Sequence, residues 1–255
     1  MHSELAEEAR RPMIAIRGLY KSFEDNQVLR GIDLEVAEGR TTVIIGGSGS
    51  GKSVLMKHML GLLRPDRGQV WVDGEDISGL PERELVRVRA KFGMVFQQAA
   101  LFDSMSVGQN VAFPLQEHSK LGHDEIERRV KEKLAMVDLE GVEDRFPAEL
   151  SGGMRKRVGL ARAIVLDPRI LLYDEPTTGL DPISAHNVDQ MIMDAQQRLG
   201  VTSVVISHDI ASSFRVGDRV AMLYRGRIVD QGPPESLQHS EDPHVQEFLS
   251  TWFSK

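Results

Sequence analysis

Gly46-Gly47-Ser48-Gly49-Ser50-Gly51-Lys52-Ser53 fits the spacing G-x-x-x-x-G-K-[ST] of a phosphate-binding loop. Residues 41–45 before it (TTVII) form a short β-branched run that predicts a buried strand. Residues 54–63 after it (VLMKHMLGLL) predict the helix that the loop opens. This setting decides the reading, because a glycine-serine turn without both neighbours is only a flexible connection. Glycines let several backbone N–H groups converge on an anion, and a helix N-terminus adds positive potential. Lys52 is then placed to reach the outer phosphates of a nucleoside triphosphate, and the Ser53 hydroxyl to hold Mg²⁺.

The rest of the composition narrows the setting in which such a loop works. A chain of 255 residues makes one large α/β domain or two small ones. Its net charge of −7 offers no basic footprint for nucleic acid. It has no cysteine, so disulfides and thiolate metal sites are excluded. The histidines show no H-E-x-x-H pattern, and no zinc site is expected. Residues 1–11 are charged and predict a solvated, frayed tail rather than a signal peptide. No stretch approaches the roughly 18 to 20 apolar residues of a membrane helix. Work at a membrane would therefore need another chain to hold this one there.

Around the loop, strands and helices alternate. Residues 13–19 and 32–36 alternate apolar and polar side chains, as half-buried strands do, with a turn at Glu24-Asp25-Asn26. Further strands are expected at 69–72, 92–96, 170–173 and 203–206, with a hairpin of 219–224 and 227–230 about Arg225-Gly226. Helices are expected at 81–91, 123–137, 183–198 and 243–253. Between about 98 and 165 strand-like runs vanish, which suggests a helical insertion. The pattern implies a mostly parallel sheet covered on both faces, with an antiparallel edge. Met56, Met59, Met191 and Met193 fall in these helices and are expected in the core.

A triphosphate site needs an acidic group for its metal and a group that positions water. Ile170-Leu171-Leu172-Tyr173-Asp174-Glu175 supplies both, because an apolar strand ends in two carboxylates. Ligands of parallel sheets bind beyond the carboxyl ends of the strands, so Asp174 should lie beside the loop and hold Mg²⁺. Glu175 could then orient and deprotonate the attacking water. Leu150-Ser151-Gly152-Gly153-Met154 precedes a second helix-forming run, and serine followed by glycines at a helix start makes another anion site.

Taken together these motifs resemble the ATP-binding cassette (ABC) ATPases over nearly the whole chain. Residues 46–53 match the Walker A loop, Gln97 the Q-loop glutamine and 150–154 the LSGGQ signature. Residues 170–175 match Walker B with its glutamate, Gly179-Leu180-Asp181 the D-loop, and His208 the switch histidine. Phe23 stands where the family places the aromatic that stacks on adenine. The resemblance implies a P-loop NTPase (RecA-like) core carrying a helical signature subdomain at about 98–165, within one cassette spanning 12–255. It also implies a head-to-tail dimer of two copies that share two ATP and Mg²⁺. Ser151, Gly152 and Gly153 of one copy would then grip the γ-phosphate held by residues 46–53 of the other. By the same resemblance His208 bridges the γ-phosphate and the partner's D-loop, and Gln97 reports on the phosphate by contacting the metal or its water.

Two positions depart from the common pattern: Met154 replaces the signature glutamine and Phe23 the commoner tyrosine. Neither removes a phosphate contact. Met154 followed by Arg155-Lys156-Arg157, together with the ending Asp242-Pro243-His244-Val245-Gln246-Glu247-Phe248-Leu249, is similar to the ATPases of Mla/Mce-type phospholipid transporters. These are also described as toluene- or organic-solvent-tolerance systems. The resemblance implies a separate permease at the cytoplasmic face of the cell membrane, received by a groove at residues 99–103. Val245, Phe248, Leu249, Trp252 and Phe253 share a face of the last helix and are expected to pack on their own domain. The end at Trp252 could dock on the neighbouring ATPase or on a small accessory protein. Small-solute (amino-acid-like) import and soluble iron–sulfur assembly remain as alternatives.

Overall fold

The computed structural model describes residues 12–97 and 99–253, the side chains of 251–253 excepted. The expected tail at 1–11 and the proposed contacts of Trp252 and Phe253 lie outside the described residues. The strands are β1 (Pro12–Phe23), β2 (Asn26–Ala37), β3 (Thr41–Ile45), β4 (Arg67–Val72), β5 (Glu75–Asp76), β6 (Phe92–Phe96), β7 (Ile170–Asp174), β8 (Thr202–Ser207), β9 (Arg219–Tyr224) and β10 (Arg227–Gly232). The helices are α1 (Lys52–Met59), α2 (Glu82–Arg89), α3 (Val107–His118), α4 (His123–Met136), α5 (Gly152–Ile164), α6 (Pro182–Leu199), α7 (Ile210–Val216), α8 (Pro234–Gln238) and α9 (Pro243–Phe253).

A six-stranded sheet runs β10-β9-β3-β8-β7-β6. All its neighbours are parallel except the β9–β10 hairpin. Every residue of β3 and of β8 is buried, which is why β3 reads as an unbroken apolar or β-branched run and β8 carries only small hydroxyl residues beside its apolar centre. Their side chains still divide by parity. Val43 and Ile45 join the core on one face, and Ile44 the core on the other. The hairpin closes through Arg225 (φ 45°) and Gly226 (φ 79°), both left-handed, as a tight two-residue turn demands.

The β9–β10 hairpin is the expected antiparallel edge, and the early strands add to it. They form their own four-stranded antiparallel sheet, β2-β1-β4-β5. Its buried face packs with Ile44, Leu172 and Ile206 of the large sheet and with Leu55 and Met59 of α1. Helix α1 is therefore enclosed by apolar neighbours and cannot swing, which fixes its N-terminus in space. It is also shorter than the expected 54–63, because Gly61 turns left-handed (φ 62°) and takes the chain out of the helix.

Between β6 and β7 the described chain is helical. The expected helix near 123–137 is present as α4, with Val130 and Leu134 buried. Helix α3 was not foreseen, although Ser106 and Gln109 form a full capping box at its start. The side chains of α3, α4, α5 and α6 share one apolar cluster with the other face of the large sheet. Among the described residues no helix is long and apolar enough to cross a membrane.

Candidate nucleotide site

The loop between β3 and α1 is built by two close approaches. A Cβ on Gly46 would lie 2.2 Å from the Leu223 carbonyl oxygen, so a side chain there would push the loop off the sheet. Gly51 caps α1 at φ 112°, a conformation open to glycine, and a Cβ there would meet Leu29 at 2.9 Å. Lys52 is the first residue of α1 and is buried. Its Nζ donates to the carbonyl oxygens of Gly46 (2.7 Å) and Gly47 (3.1 Å). Burial lowers its pKa, and the Glu175 carboxylate works against that shift. The lysine thus sits over the loop mouth as a desolvated cation, where its charge acts on a ligand with little screening.

The acidic end of β7 faces it. Glu175 has a left-handed backbone (φ 51°), and its N–H donates to Ile206 of β8 at 2.8 Å. Such a conformation costs roughly 1–3 kcal/mol and concentrates at functional sites. It aims the carboxylate at three groups. Oε1 lies 3.7 Å from Lys52 Nζ. Oε2 accepts from Thr178 Oγ1 at 2.9 Å and lies 2.5 Å from His208 Nδ1. Asp174, half-buried beside it, has its pKa raised first by burial and then by the Glu175 charge, with Lys52 and Lys57 opposing. His208 follows β8 directly, and the next residue, Asp209, caps α7 by accepting from Ser212 N–H at 3.1 Å.

Lys52, Glu175 and His208 border a cleft of about 780 Å³ lined by residues 47–54 with Val28, Glu175, His208 and Phe248, and Asp174 lies outside that lining. Its size suits a nucleotide. Other expected residues lie away from this wall. Phe23 is 43% exposed at the end of β1, with Lys21 Nζ 5.6 Å from its ring centre. Gln97 is exposed just past β6. Ser151 caps α5, accepting from Met154 N–H at 3.2 Å, and Gly152 and Gly153 are exposed in its first turn. Asp181 caps α6, accepting from the N–H groups of Ile183 and Ser184 at 3.0 Å each. The Ser184 hydroxyl bond, first, and these N–H groups hold its carboxyl below the usual carboxylate range. Sequence reasoning missed Val28, Thr178 and Phe248. The threonine could have been found, since it lies three residues past Glu175 in a turn. Phe248 could not, because only the docking of α9 brings it here.

Comparison with known proteins places this arrangement. The family model described as ABC transporter matches residues 29–178. The probable ribonucleotide transport ATP-binding protein mkl of Mycobacterium leprae is 45% identical over 95% of this chain and 71% of its own length. The Mycobacterium tuberculosis (strain ATCC 25618 / H37Rv) protein is 46% identical over 93% of this chain and 66% of its own length. The intermembrane phospholipid transport ATP-binding protein MlaF of Escherichia coli is 41% identical over 86% of this chain and 81% of its own length. Among solved structures, cbiO1 of Clostridium perfringens, part of an ABC transporter complex, superposes with a TM-score of 0.84 at 32% identity, covering 90% of this chain and 92% of that one. A dimeric post-hydrolysis cassette, MJ0796 with ADP and phosphate, gives 0.76 at 31% identity, covering 87% of this chain and 99% of that one. This chain belongs to the ABC transporter family, among its ATP-binding, ATP-hydrolysing cassettes.

Proposed function

We propose that the chain hydrolyses ATP at a seam between two copies and so drives a membrane permease that moves phospholipid between membranes. The observation that carries the chemistry is the position of Glu175, held by Thr178 and within reach of both Lys52 and His208 at the loop mouth. Residues 46–53 bind the phosphates through backbone N–H groups and Lys52 neutralises the outer ones. Glu175 orients the attacking water and accepts its proton, and His208 keeps the carboxylate turned toward it. Mg²⁺ in such sites is held by one or two carboxylates together with substrate phosphates. Ser53, exposed at the helix start, and Asp174, half-buried beside Glu175, fit that donor set. Bound there, the ion would neutralise developing charge on the phosphates.

Ser151, Gly152, Gly153 and Asp181 lie outside the cleft wall of their own chain, so a second copy is their natural recipient. The dimeric cassettes with this fold support that reading. The helices between β6 and β7 then act as the signature-bearing subdomain, with Gln97 at its entry. Phe96, just before residues 99–103, and Phe102, within them, are exposed. The buried Asn110 side chain braces that loop through Phe102 N–H (2.8 Å) and the carbonyls of Phe102 and Met105 (3.1 Å each). A braced apolar loop suits the docking of a permease helix at the cytoplasmic face of the membrane.

The cargo rests on likeness to MlaF, an ATP-binding protein of intermembrane phospholipid transport. Purifying the native complex and identifying its bound molecules by mass spectrometry tests the cargo. Phospholipid is the expected result, and ribonucleotide or amino acid in its place removes the lipid reading. Replacing residues 99–103 by Gly and Ser should uncouple transport from ATP hydrolysis; transport at the wild-type rate would show the groove to lie elsewhere.

A further inference from the structure

Among the described residues, Phe248 brings the one phenyl ring to the wall of the nucleotide cleft, and it comes from α9 rather than from any phosphate-binding motif. Val245 and Leu249, on the same face of α9, are buried in the core with Leu237 of α8. Phe248 packs at the margin of the same core and from there also lines the cleft. A second path links the same helix to the same loop. His244 stacks on Tyr224, ring centres 4.1 Å apart and planes 21° apart. Tyr224 ends β9, and the Arg225 guanidinium lies 5.2 Å from the centre of its ring. Gly226, next in the hairpin turn, donates its N–H to the Ser50 carbonyl at 3.1 Å. A Cβ at Gly226 would lie 2.3 Å from the Val28 carbonyl oxygen, so the turn is pressed against a second cleft residue. The C-terminal helix therefore touches the cleft directly through Phe248 and braces its floor through the β9–β10 hairpin.

We propose that α9 is a wall of the nucleotide cleft and that the Phe248 ring contacts bound nucleotide, so that nucleotide binding and docking of this helix stabilise one another. The proposal rests on ATP occupying the cleft. Coupling of this kind is reciprocal: what the ring contributes to nucleotide affinity, the nucleotide returns as tighter packing of the helix. A phenyl ring against a base or ribose contributes modestly, as aromatic contacts do, so the effect on binding is a few-fold.

The test uses the full chain with Mg·ATP, measured by titration calorimetry and by hydrogen exchange of the backbone amides in α9. Phe248→Ala should raise Kd about fivefold and Phe248→Leu about twofold, as a ring lost wholly or in part. Saturating Mg·ATP should slow exchange across α9 in the wild type and do so less in Phe248→Ala. His244→Ala, which loosens the helix from the hairpin without reaching the cleft, should reduce the same protection. Binding by Phe248→Leu and His244→Ala equal to wild type, with exchange in α9 indifferent to Mg·ATP, overturns the proposal. Protection that appears only when Glu175→Gln locks two copies together assigns the ring to the second copy, and overturns it as well. Failure of wild type to bind Mg·ATP would instead remove the reading on which the proposal stands.

Discussion

Two places in this molecule begin a helix with serine and glycine, and they end in opposite surroundings. At Gly51–Lys52 the helix start is closed in by Leu29 and Leu223 and topped by a lysine from the same chain, with Glu175 opposite. At Ser151–Gly153 the helix start is exposed, and the serine hydroxyl is spent on its own cap, accepting from Met154 N–H. Both present free N–H groups and the positive end of a helix dipole. The first is a nearly complete anion site within one chain. The second has the same local chemistry without walls, and it becomes selective only when another surface closes over it. Local sequence can encode N–H groups, but the desolvation that makes them strong comes from packing or from a partner.

The largest expected effect strikes the closed site. Glu175→Gln should lower ATP turnover by about a thousandfold, in the range for removing a positioned general base, while Kd for ATP stays within about twofold. Steady-state hydrolysis beside equilibrium binding checks it, and normal turnover in this variant would end the assignment. Lys52→Ala should act on the other quantity and raise Kd for ATP at least tenfold, because a desolvated charge-assisted contact is lost. The open site should behave differently again. Gly153→Asp puts a carboxylate where the partner's phosphate would arrive and should cut turnover by about a hundredfold, leaving ATP binding by the monomer unchanged. Equal damage to monomer binding in Lys52→Ala and Gly153→Asp would erase the contrast between the two helix starts.

The same contrast explains what could be read from the sequence. The closed loop was legible because its signals are contiguous: β-branched run, glycines, lysine, helix. The ending of β7 at Asp174 was legible for the same reason. Helix α3 was hidden because Gly108 and Pro114 interrupt its pattern, although the Ser106 cap was in plain view. The expected helix at 54–63 ran too far because Leu62 and Leu63 continue the apolar texture after Gly61 has left the helix. The separate antiparallel sheet was invisible because which strands pair is decided by register over long separations, as between Ile14 and Val72. Phe248 was invisible as a cleft residue for a related reason: its helix is amphipathic in sequence, but which surface it covers is set by Val245 and Leu249 in the core.

The smallest predicted effect lies outside both helix starts, on α4, and it tests whether partly exposed charge matters here at all. Glu125 accepts from Arg128 at 2.7 and 2.8 Å and from Arg129 at 3.0 Å. The Arg128 bonds first, then Arg129, lower its pKa to about 2. A carboxylate whose folded pKa lies below its unfolded value stabilises the fold above the unfolded pKa of about 4.3, and that contribution fades as pH falls toward the folded one. The Tm difference between wild type and Glu125→Gln should therefore be steady from pH 7 to 5 and narrow by pH 3. It should also shrink at 1 M salt, since the group is partly exposed and open to screening. A gap that stays constant from pH 7 to 3 would mean that Glu125 acts through helix propensity or packing, not through its charge.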